Sequence, residues 1–278
     1  MAGDGENALG EYLTARRALV QPQDVGIRIG GVRRVPGLRR EEVAMLAGIS
    51  SDYYLRLEQG RDRHPSLQVL EAIARVLQLD DLATRYLVDL AQERPRAAGR
   101  RAREVVPTGI RQLLDALQQP AFVEGRYLDV LAANSLATAL SPNFAVGRNR
   151  VRDFFLDERD RSFYVDWEQA APGIVAGFRA VAASDTSDPR FVQLVGELSL
   201  ASEPFRRLWA RHDVRMRAGG ATRMRHPELG DLELHREKLG ISGTDQLLVV
   251  YHAEPGSHTA GLLALMGSLQ ASQPALAE

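Results

Sequence analysis

The stretch of sequence that decides the fold is residues 36–61, PGLRREEVAMLAGISSDYYLRLEQGR. It predicts a helix, a tight turn and a second helix, with Val43 and Leu46 of the first helix facing a core. Gly48 stands where the chain must leave the first helix sharply, and glycine adopts the positive φ needed there at little cost. Ser50 follows as the predicted N-cap of the second helix, because its hydroxyl can accept a hydrogen bond from a free backbone N–H.

The second helix of this motif has two different faces. Tyr54 and Leu57 are three residues apart and are predicted to be buried. The opposite, polar face carries Ser51, Asp52, Tyr53 and Arg56. A small-residue turn between two short helices, with polar groups at the start of the second, is the geometry that enters a DNA major groove.

The composition is that of a folded protein with an uneven charge distribution. The 278 residues are enough for two domains, and the 45% hydrophobic and 26% charged content is ordinary. The formal net charge of −1 hides an asymmetry, because arginines outnumber acidic residues in residues 1–103 and acidic residues outnumber basic ones afterwards. A basic first part and an acidic remainder indicate a DNA-binding head joined to a body that does not touch DNA.

Several classes of function find no support in the sequence. The chain has no cysteine, which excludes disulfides, thiolate zinc sites and a cysteine nucleophile. It has no apolar run near 18 residues and no leader pattern, so we expect a cytoplasmic protein without a membrane partner. The six histidines lack metal-ligand spacing, and neither a nucleophile elbow nor a phosphate-binding glycine loop occurs. We therefore expect no enzyme activity, no metal and no resident cofactor.

Helical and strand patterns divide the chain into two domains. Residues 1–92 predict an all-α helix-turn-helix DNA-binding head of five helices, and residues 93–106 read as an arginine-rich linker, whose arginines either stay in solvent or touch phosphates. Residues 107–278 predict an α+β domain in which two strands, a block of helices and three strands follow one another. The strands are expected near residues 121–123, 127–132, 221–226, 231–239 and 246–252, and a last helix near 259–269.

Both halves resemble known families. The helix-turn-helix segment resembles the phage-repressor-like (XRE-type) family in the motifs Ala47-Gly48-Ile49-Ser50, Tyr54 and Glu58-Gln59-Gly60. The sequence around these motifs resembles the MmyB-like transcription regulators of actinobacteria. The strand and helix order after residue 107 resembles a PAS-like domain, a five-stranded antiparallel sheet with helices across one face. The resemblance implies a C-terminal ligand-binding half.

Matching the family motif implies which residues meet DNA. Base contacts fall on Ser51, Asp52 and Arg56, and Arg56 suits guanine because its guanidinium can bind O6 and N7 together. Asp52 either accepts from cytosine N4 or orients Arg56 at i,i+4. The remaining DNA-binding candidates are Tyr53 and the phosphate-contacting Arg39, Arg40, Arg61 and Arg63. Glu58 is expected to tie the motif together through a salt bridge to Arg40 rather than to approach the duplex.

The resemblance also implies a pocket for a small apolar, fatty-acid-like ligand in the second domain. The candidate ligand-binding residues are Trp167, Phe178, Phe191, Trp209, Arg211, His212 and Tyr251, although aromatic residues of this kind more often belong to the core. Arg211 and His212 either anchor a carboxylate or join a structural ion pair. The expected partners are a double-stranded DNA operator and a second copy of the chain, meeting through the sheet or the last helix. Two alternatives stay open: a second domain that binds a protein partner, and an enzyme fused to the head.

Overall fold

The computed structural model describes residues 7–28, 33, 35–62, 64–92, 104–182, 188–214 and 220–272. The five predicted helices of the head are present. They are α1 (Ala8–Leu19), α2 (Arg40–Ala47), α3 (Ser51–Glu58), α4 (Leu67–Val76) and α5 (Asp81–Ala91), with a short 3-10 turn at Pro22–Val25. Tyr12, Leu38, Ile73 and Leu87 are fully buried among them, so the head has its own apolar core.

The turn between α2 and α3 has the expected chemistry. Gly48 ends α2 with φ 69°, and the Ser50 hydroxyl accepts a hydrogen bond from the backbone N–H of Tyr53 at 3.1 Å. The burial of Leu46 was predicted wrongly, since this side chain is 38% exposed. It lies two residues after the buried Ala44, and two residues turn an α-helix by about 200°, which directs the side chain away from the core.

The remainder of the chain forms a sheet and eight further helices within the residues described. The helices are α6 (Thr108–Ala116), α7 (Ser135–Leu140), α8 (Arg150–Leu156), α9 (Glu158–Phe163), α10 (Trp167–Ala182), α11 (Pro189–Ala201), α12 (Glu203–Trp209) and α13 (His258–Ser272). The strands are β1 (Ala121–Glu124), β2 (Val130–Ala133), β3 (Gly220–His226), β4 (Gly230–Gly240) and β5 (Leu247–His252). They pair antiparallel in the order β2-β1-β5-β4-β3, which confirms the predicted five-stranded antiparallel sheet.

The first hairpin differs from the sequence prediction. The second strand was expected at residues 127–132, but β2 begins at Val130 because a turn occupies the residues before it. Within that turn the Leu128 N–H donates to the Gly125 carbonyl, and Leu128 has φ 65°. The Asn149 side chain holds the turn by donating to the Tyr127 carbonyl at 2.8 Å. These contacts delay ladder pairing by three residues.

The two faces of the sheet differ in what covers them. On one face Leu248 of β5 packs with Leu114 of α6 in an apolar cluster. On the other face Tyr251 and Phe122 meet Phe144, whose ring is stacked on that of Tyr251 with centroids 5.4 Å apart. In the residues that the structure describes, none of the helices is long and apolar enough to cross a membrane.

The chain divides into two compact units. The first, which we call the head unit, comprises residues 1–98, 175–199 and 203–216, and the second, the sheet unit, comprises 99–174, 200–202 and 217–278. Residues 175–199 and 203–216 lie after the predicted domain boundary yet belong to the head unit, where Val214 is buried in the same core cluster as Tyr12. Of the predicted linker, residues 93–103 lie outside the described residues. The domain boundaries given above stay a prediction.

Candidate functional site

The solvent face of α3 presents a row of hydrogen-bonding groups. Ser51 and Asp52 are exposed, while Tyr54 and Leu57 on the opposite face are fully buried. Arg56 forms an i,i+4 ion pair with Asp52. Because Ser50 fixes the first turn of α3 and the buried pair fixes its rotation, the polar groups are held in one orientation.

Arg56 is held close to a second side chain of the same face. Its Cζ lies 5.6 Å from the centre of the Tyr53 ring, in cation–π geometry. The Asp52 carboxylate accepts from Arg56, as in one of the two roles considered for it, and its contact with a base stays a prediction. The ion pair is largely in solvent, so it contributes little to the stability of the helix.

The predicted phosphate-contacting arginines flank α3 where they are described. Arg39 is the N-cap of α2 and Arg40 its first residue, and both are exposed. Arg61 follows α3 and is exposed, with its backbone N–H donating to the Arg56 carbonyl at 2.9 Å. Arg63 lies outside the described residues. The DNA-binding roles of the eight candidates remain predictions.

Glu58, at the end of α3, is the centre of a buried ion cluster. Its side chain is 2% exposed and accepts from Arg17 Nε at 2.6 Å and from Arg40 Nε at 2.5 Å. The predicted salt bridge between Glu58 and Arg40 is confirmed. Arg17 was missed, although it follows the buried Leu13 by one helical turn, which is a signal that an arginine faces the interior.

The start of α1 also touches the end of α3. The Asn7 side chain donates to the backbone carbonyl of Glu58 at 2.8 Å and accepts from the N–H of Gly10 at 3.2 Å. A Cβ on Gly10 would lie 2.1 Å from the Glu58 carbonyl oxygen, so only glycine fits this approach. Helix α1 therefore holds the far end of α3 through both backbone and side chain.

Three of the predicted ligand-binding aromatics come together in the head unit. The rings of Phe178, Phe191 and Trp209 pack at centroid distances of 5.4–5.9 Å, and Phe205 is stacked on Trp209 at 5.5 Å. Phe178 is fully buried. The four rings fill the space between α10, α11 and α12 with one another, which is how a core cluster packs.

Arg211 and His212 lie beside this cluster, and each contacts another side chain of the same chain. Arg211 Nε lies 3.0 Å from Asp213, so the alternative of a structural ion pair holds for Arg211 in this structure. His212 Nδ1 lies 3.2 Å from Arg179 Nη1. Burial, together with the positive charges of Arg179 and Arg16, lowers the pKa of His212 to about 3. The imidazole is therefore neutral at physiological pH and its Nδ1 can accept from Arg179.

The other two predicted ligand-binding aromatics belong to the sheet unit. Trp167 is stacked on Phe154 with ring centroids 5.1 Å apart, and its indole N–H donates to the Phe154 carbonyl at 2.9 Å. Tyr251 is stacked on Phe144 across the covered face of the sheet. Trp167 and Tyr251 therefore pack with different partners. The ligand-binding roles of all seven residues remain predictions.

The sequence analysis missed buried charged side chains on the face of the sheet that packs against Phe144. Arg150 donates to the Tyr164 hydroxyl at 2.6 Å and to Asp160 at 3.3 Å, and its guanidinium lies 4.3 Å from the Phe144 ring centre. On β1, burial alone would raise the pKa of the Glu124 carboxyl, but Lys238 donates to it at 2.7 Å and brings the pKa below its usual value. Lys238 is the only lysine of the chain, and an alternating strand pattern gave no sign of its buried partner.

A cavity of about 990 Å³ opens in the sheet unit beside α13. It is lined by Leu117, Leu136, His252, Pro255, Leu263 and Ala264, among others. None of the seven predicted ligand-binding residues lines it. Its volume is at the upper end of the roughly 300–1,000 Å³ range of sites that hold small molecules. Among the residues described, no group of three potential metal ligands comes together.

Two regions of the chain match known protein families. Residues 8–87 match a helix-turn-helix domain, and residues 106–266, more than half of the chain, match the ligand-binding domain of MmyB-like transcription regulators. No curated protein matches the chain. A helix-turn-helix DNA-binding region followed by such a domain defines a ligand-sensing transcription regulator.

Within that class, the chain belongs to the MmyB-like transcription regulators. This confirms the resemblance that the sequence suggested. Neither matching family is described as an enzyme.

Proposed function

We propose that the protein is a sequence-specific DNA-binding regulator that reads its operator with α3. The observation that carries the proposal is the capped helix whose buried Tyr54 and Leu57 leave Ser51, Asp52 and Arg56 together in solvent. In this proposal Arg56 contacts a base edge, Tyr53 a thymine methyl or a phosphate, and the flanking arginines fix the register on the phosphates.

Selection of duplexes from a random library with the full chain, followed by anisotropy titrations, tests this proposal. Arg56→Ala is expected to cost about 1–3 kcal/mol at the selected site and to relax the sequence preference. Arg61→Ala is the matched control, since loss of a phosphate contact weakens all sequences alike and flattens the salt dependence. Equal operator affinity of Arg56→Ala and the unaltered chain would show that α3 does not read the bases.

We also propose that the ligand is a small apolar molecule of the fatty-acid type and that it occupies the cavity beside α13. The cavity has a mixed lining in which Leu136 and Leu263 offer apolar surface and His252 a polar group. The lining also includes the polar side chains of Asp115, Gln119 and Gln270, and polar groups in small-molecule sites fix the orientation of the ligand. Occupancy would alter the pose of the DNA-binding heads of a cytoplasmic homodimer on a palindromic operator.

Native mass spectrometry of the full chain, before and after organic extraction, tests the ligand and the homodimer together. A discrete extra mass that extraction removes is expected, on a species of twice the chain mass. Ala264→Trp fills the cavity and should remove the extra mass, whereas Leu265→Trp, on the next residue and outside the lining, should keep it. Retention of the mass in both variants would place the ligand elsewhere.

A protein partner in place of the metabolite is the second candidate, and one observation favours it. Helix α13, from His258 to Ser272, contains no Asp, Glu, Lys or Arg. It leaves Leu265 and Leu269 more than half exposed. An apolar helix beside an open cavity also suits a partner helix. A chain without extractable ligand, whose Leu265→Ser variant loses a partner that the unaltered chain captures, would support this candidate.

A further inference from the structure

The ligand-binding domain contributes part of the compact unit that contains the DNA-binding head. The family match for that domain covers residues 106–266, yet residues 175–199 and 203–216 belong to the head unit. Val214 is 3% exposed within the apolar core of the head, and Ala180 of α10 packs against the same core. Helix α10 is shared, since its residues 167–174 belong to the sheet unit and its later residues to the head unit.

Arg179, near the end of α10, is buried in the head unit without a carboxylate at ion-pair distance among the residues described. Its guanidinium lies 3.6 Å from the ring centre of Trp209 and donates to the Trp209 carbonyl. Its Nη1 lies 3.2 Å from Nδ1 of His212, while its Nε finds no acceptor among the described residues. The Tyr86 hydroxyl is a further neutral hydrogen-bond partner of the guanidinium. A buried cation whose acceptors are all neutral is stable only while those acceptors stay in place.

The segment that Arg179 holds faces α1 of the head. The ring of His212 meets the ring of Tyr12 edge-on at 6.4 Å, and Asp213 forms a 2.7 Å ion pair with Arg16. Both acidic and basic partners of this pair are less than one-fifth exposed. His212 has φ 51°, a left-handed conformation that non-glycine residues adopt only when their surroundings enforce it.

Helix α1 carries its contacts onward to α3. Tyr12 and Arg16 face the segment after α12, while the next residue, Arg17, donates to Glu58 at the end of α3. Asn7 and Gly10 close the same junction through the Glu58 carbonyl. The chain of direct contacts therefore runs from α10 through the Trp209–His212 turn and α1 to the helix that presents Arg56.

We propose that Arg179 is the positioning residue through which the ligand-binding domain sets the pose of α1 and, through α1, of α3. The proposal deepens the DNA-reading function above and rests on it. A shift of α10 separates the guanidinium from the Trp209 carbonyl and from His212 together, because Trp209 ends α12 and His212 lies in the turn that follows it. The turn then releases Tyr12 and Arg16.

Hydrogen exchange of the full chain tests this coupling without DNA or ligand. Arg179→Met is expected to speed amide exchange in α1 and in residues 55–59 by about 2- to 30-fold, the range of coupling energies along such networks. Arg207→Met is the matched control, because Arg207 on α12 is exposed and, within the described part of the chain, forms an ion pair with the exposed Glu203 alone. Helix α4 is the internal reference, since general destabilisation of the head unit would speed its exchange equally. Faster exchange confined to α10–α12, or equal in α4, would overturn the proposal.

Operator affinity gives the second readout. Arg179→Met is expected to weaken binding about 2- to 30-fold with an unchanged salt slope, because no phosphate contact is lost. Arg179→Lys keeps the charge and should recover part of the affinity, and it replaces Arg179→Met if that variant does not fold. When Arg179→Met is combined with Arg17→Met, the losses of operator affinity should be less than additive, since both substitutions act through α1. Strict additivity would overturn the proposal.

Failure of the proposed function is separable from failure of this inference. If Arg56→Ala binds DNA as the unaltered chain does, α3 is not the reading helix, while hydrogen exchange still decides whether Arg179 positions α1. If Arg56→Ala loses specificity and Arg179→Met changes neither exchange nor affinity, the function holds and the positioning role falls.

Discussion

Replacement of Glu58 by glutamine should destabilise the head unit strongly. The carboxylate is 2% exposed and Arg17 only 11% exposed, so loss of the negative charge leaves a buried guanidinium without its counter-ion. Removal of one member of a buried ion pair costs about 3–5 kcal/mol. The half-exposed Arg40 adds less than about 1 kcal/mol, and the remaining amide oxygen still accepts one hydrogen bond. The expected loss is therefore about 2–4 kcal/mol.

The two tryptophans make this loss measurable for the head unit alone. Trp209 belongs to the head unit and Trp167 to the sheet unit, so in a Trp167→Phe background the fluorescence follows the head unit. In urea the midpoint should fall by roughly 1–2 M for an m-value of about 2 kcal/mol/M. Glu71→Gln, an exposed acid on α4, is the control and should change the free energy of unfolding by less than about 0.5 kcal/mol.

The outcome that would refute the reasoning is a loss no larger than that of the control. A second comparison sharpens the result: Arg17→Met together with Glu58→Met removes both buried charges. The double variant should be less destabilised than Glu58→Gln alone, because no uncompensated charge remains in the interior. A double variant that is worse than the sum of its single changes would show that packing, rather than charge, dominates at this junction.

Three further predictions concern the same unit. Gly10→Ala should cost about 1–3 kcal/mol because its Cβ would collide with the Glu58 carbonyl, whereas Gly196→Ala, whose Cβ meets open space, should not destabilise; urea titration compares them. The contact with Arg33 lowers the pKa of the Glu42 carboxyl in the folded chain. The stabilisation that this contact gives is therefore present above the pKa of the unfolded chain and disappears as pH falls through the pKa of the folded chain. Glu42→Gln should equal the unaltered chain in stability in acid and be less stable than it at pH 7. His212 is neutral when folded and protonates near 6.5 when unfolded, so stability should fall by about 1.4 kcal/mol between pH 7.5 and 5.5, a loss absent in His212→Gln.

The parts of the fold that the sequence predicted are those with local chemical signals. Gly48 and Ser50 mark a turn and a cap through their own backbone and hydroxyl, and β5 is a continuous apolar run that suits a central strand. These signals depend on neighbours within a few residues. The five-stranded antiparallel sheet followed from the resemblance to a PAS-like domain, and the observed sheet has five antiparallel strands.

The parts that escaped prediction depend on which surfaces meet. The apolar stripes of α10 and α11 show that each helix buries one face, but Val214 in the head core has no local signature of its partner. Aromatic residues such as Phe178 and Tyr251 looked alike as pocket candidates, and the structure packs them into different clusters. Arg17 has a spacing from Leu13 that indicates burial, but the carboxylate partners of Arg17 and Arg150 lie on other helices and are known only from the fold.

The interleaved head unit has a consequence for how the protein is made. Helices α1–α5 leave the ribosome first, but Ala180 and Val214, which complete their core, are synthesised about ninety and more than a hundred residues later than the end of α5. At a translation rate of about 5–20 residues per second, these two residues are added roughly 5–25 s after the end of α5. During that interval Tyr12 and Tyr86 lack the packing contacts that the later residues make in the head unit. Helix α3, which we propose reads the operator, therefore reaches its final packing only after most of the ligand-binding domain has been translated.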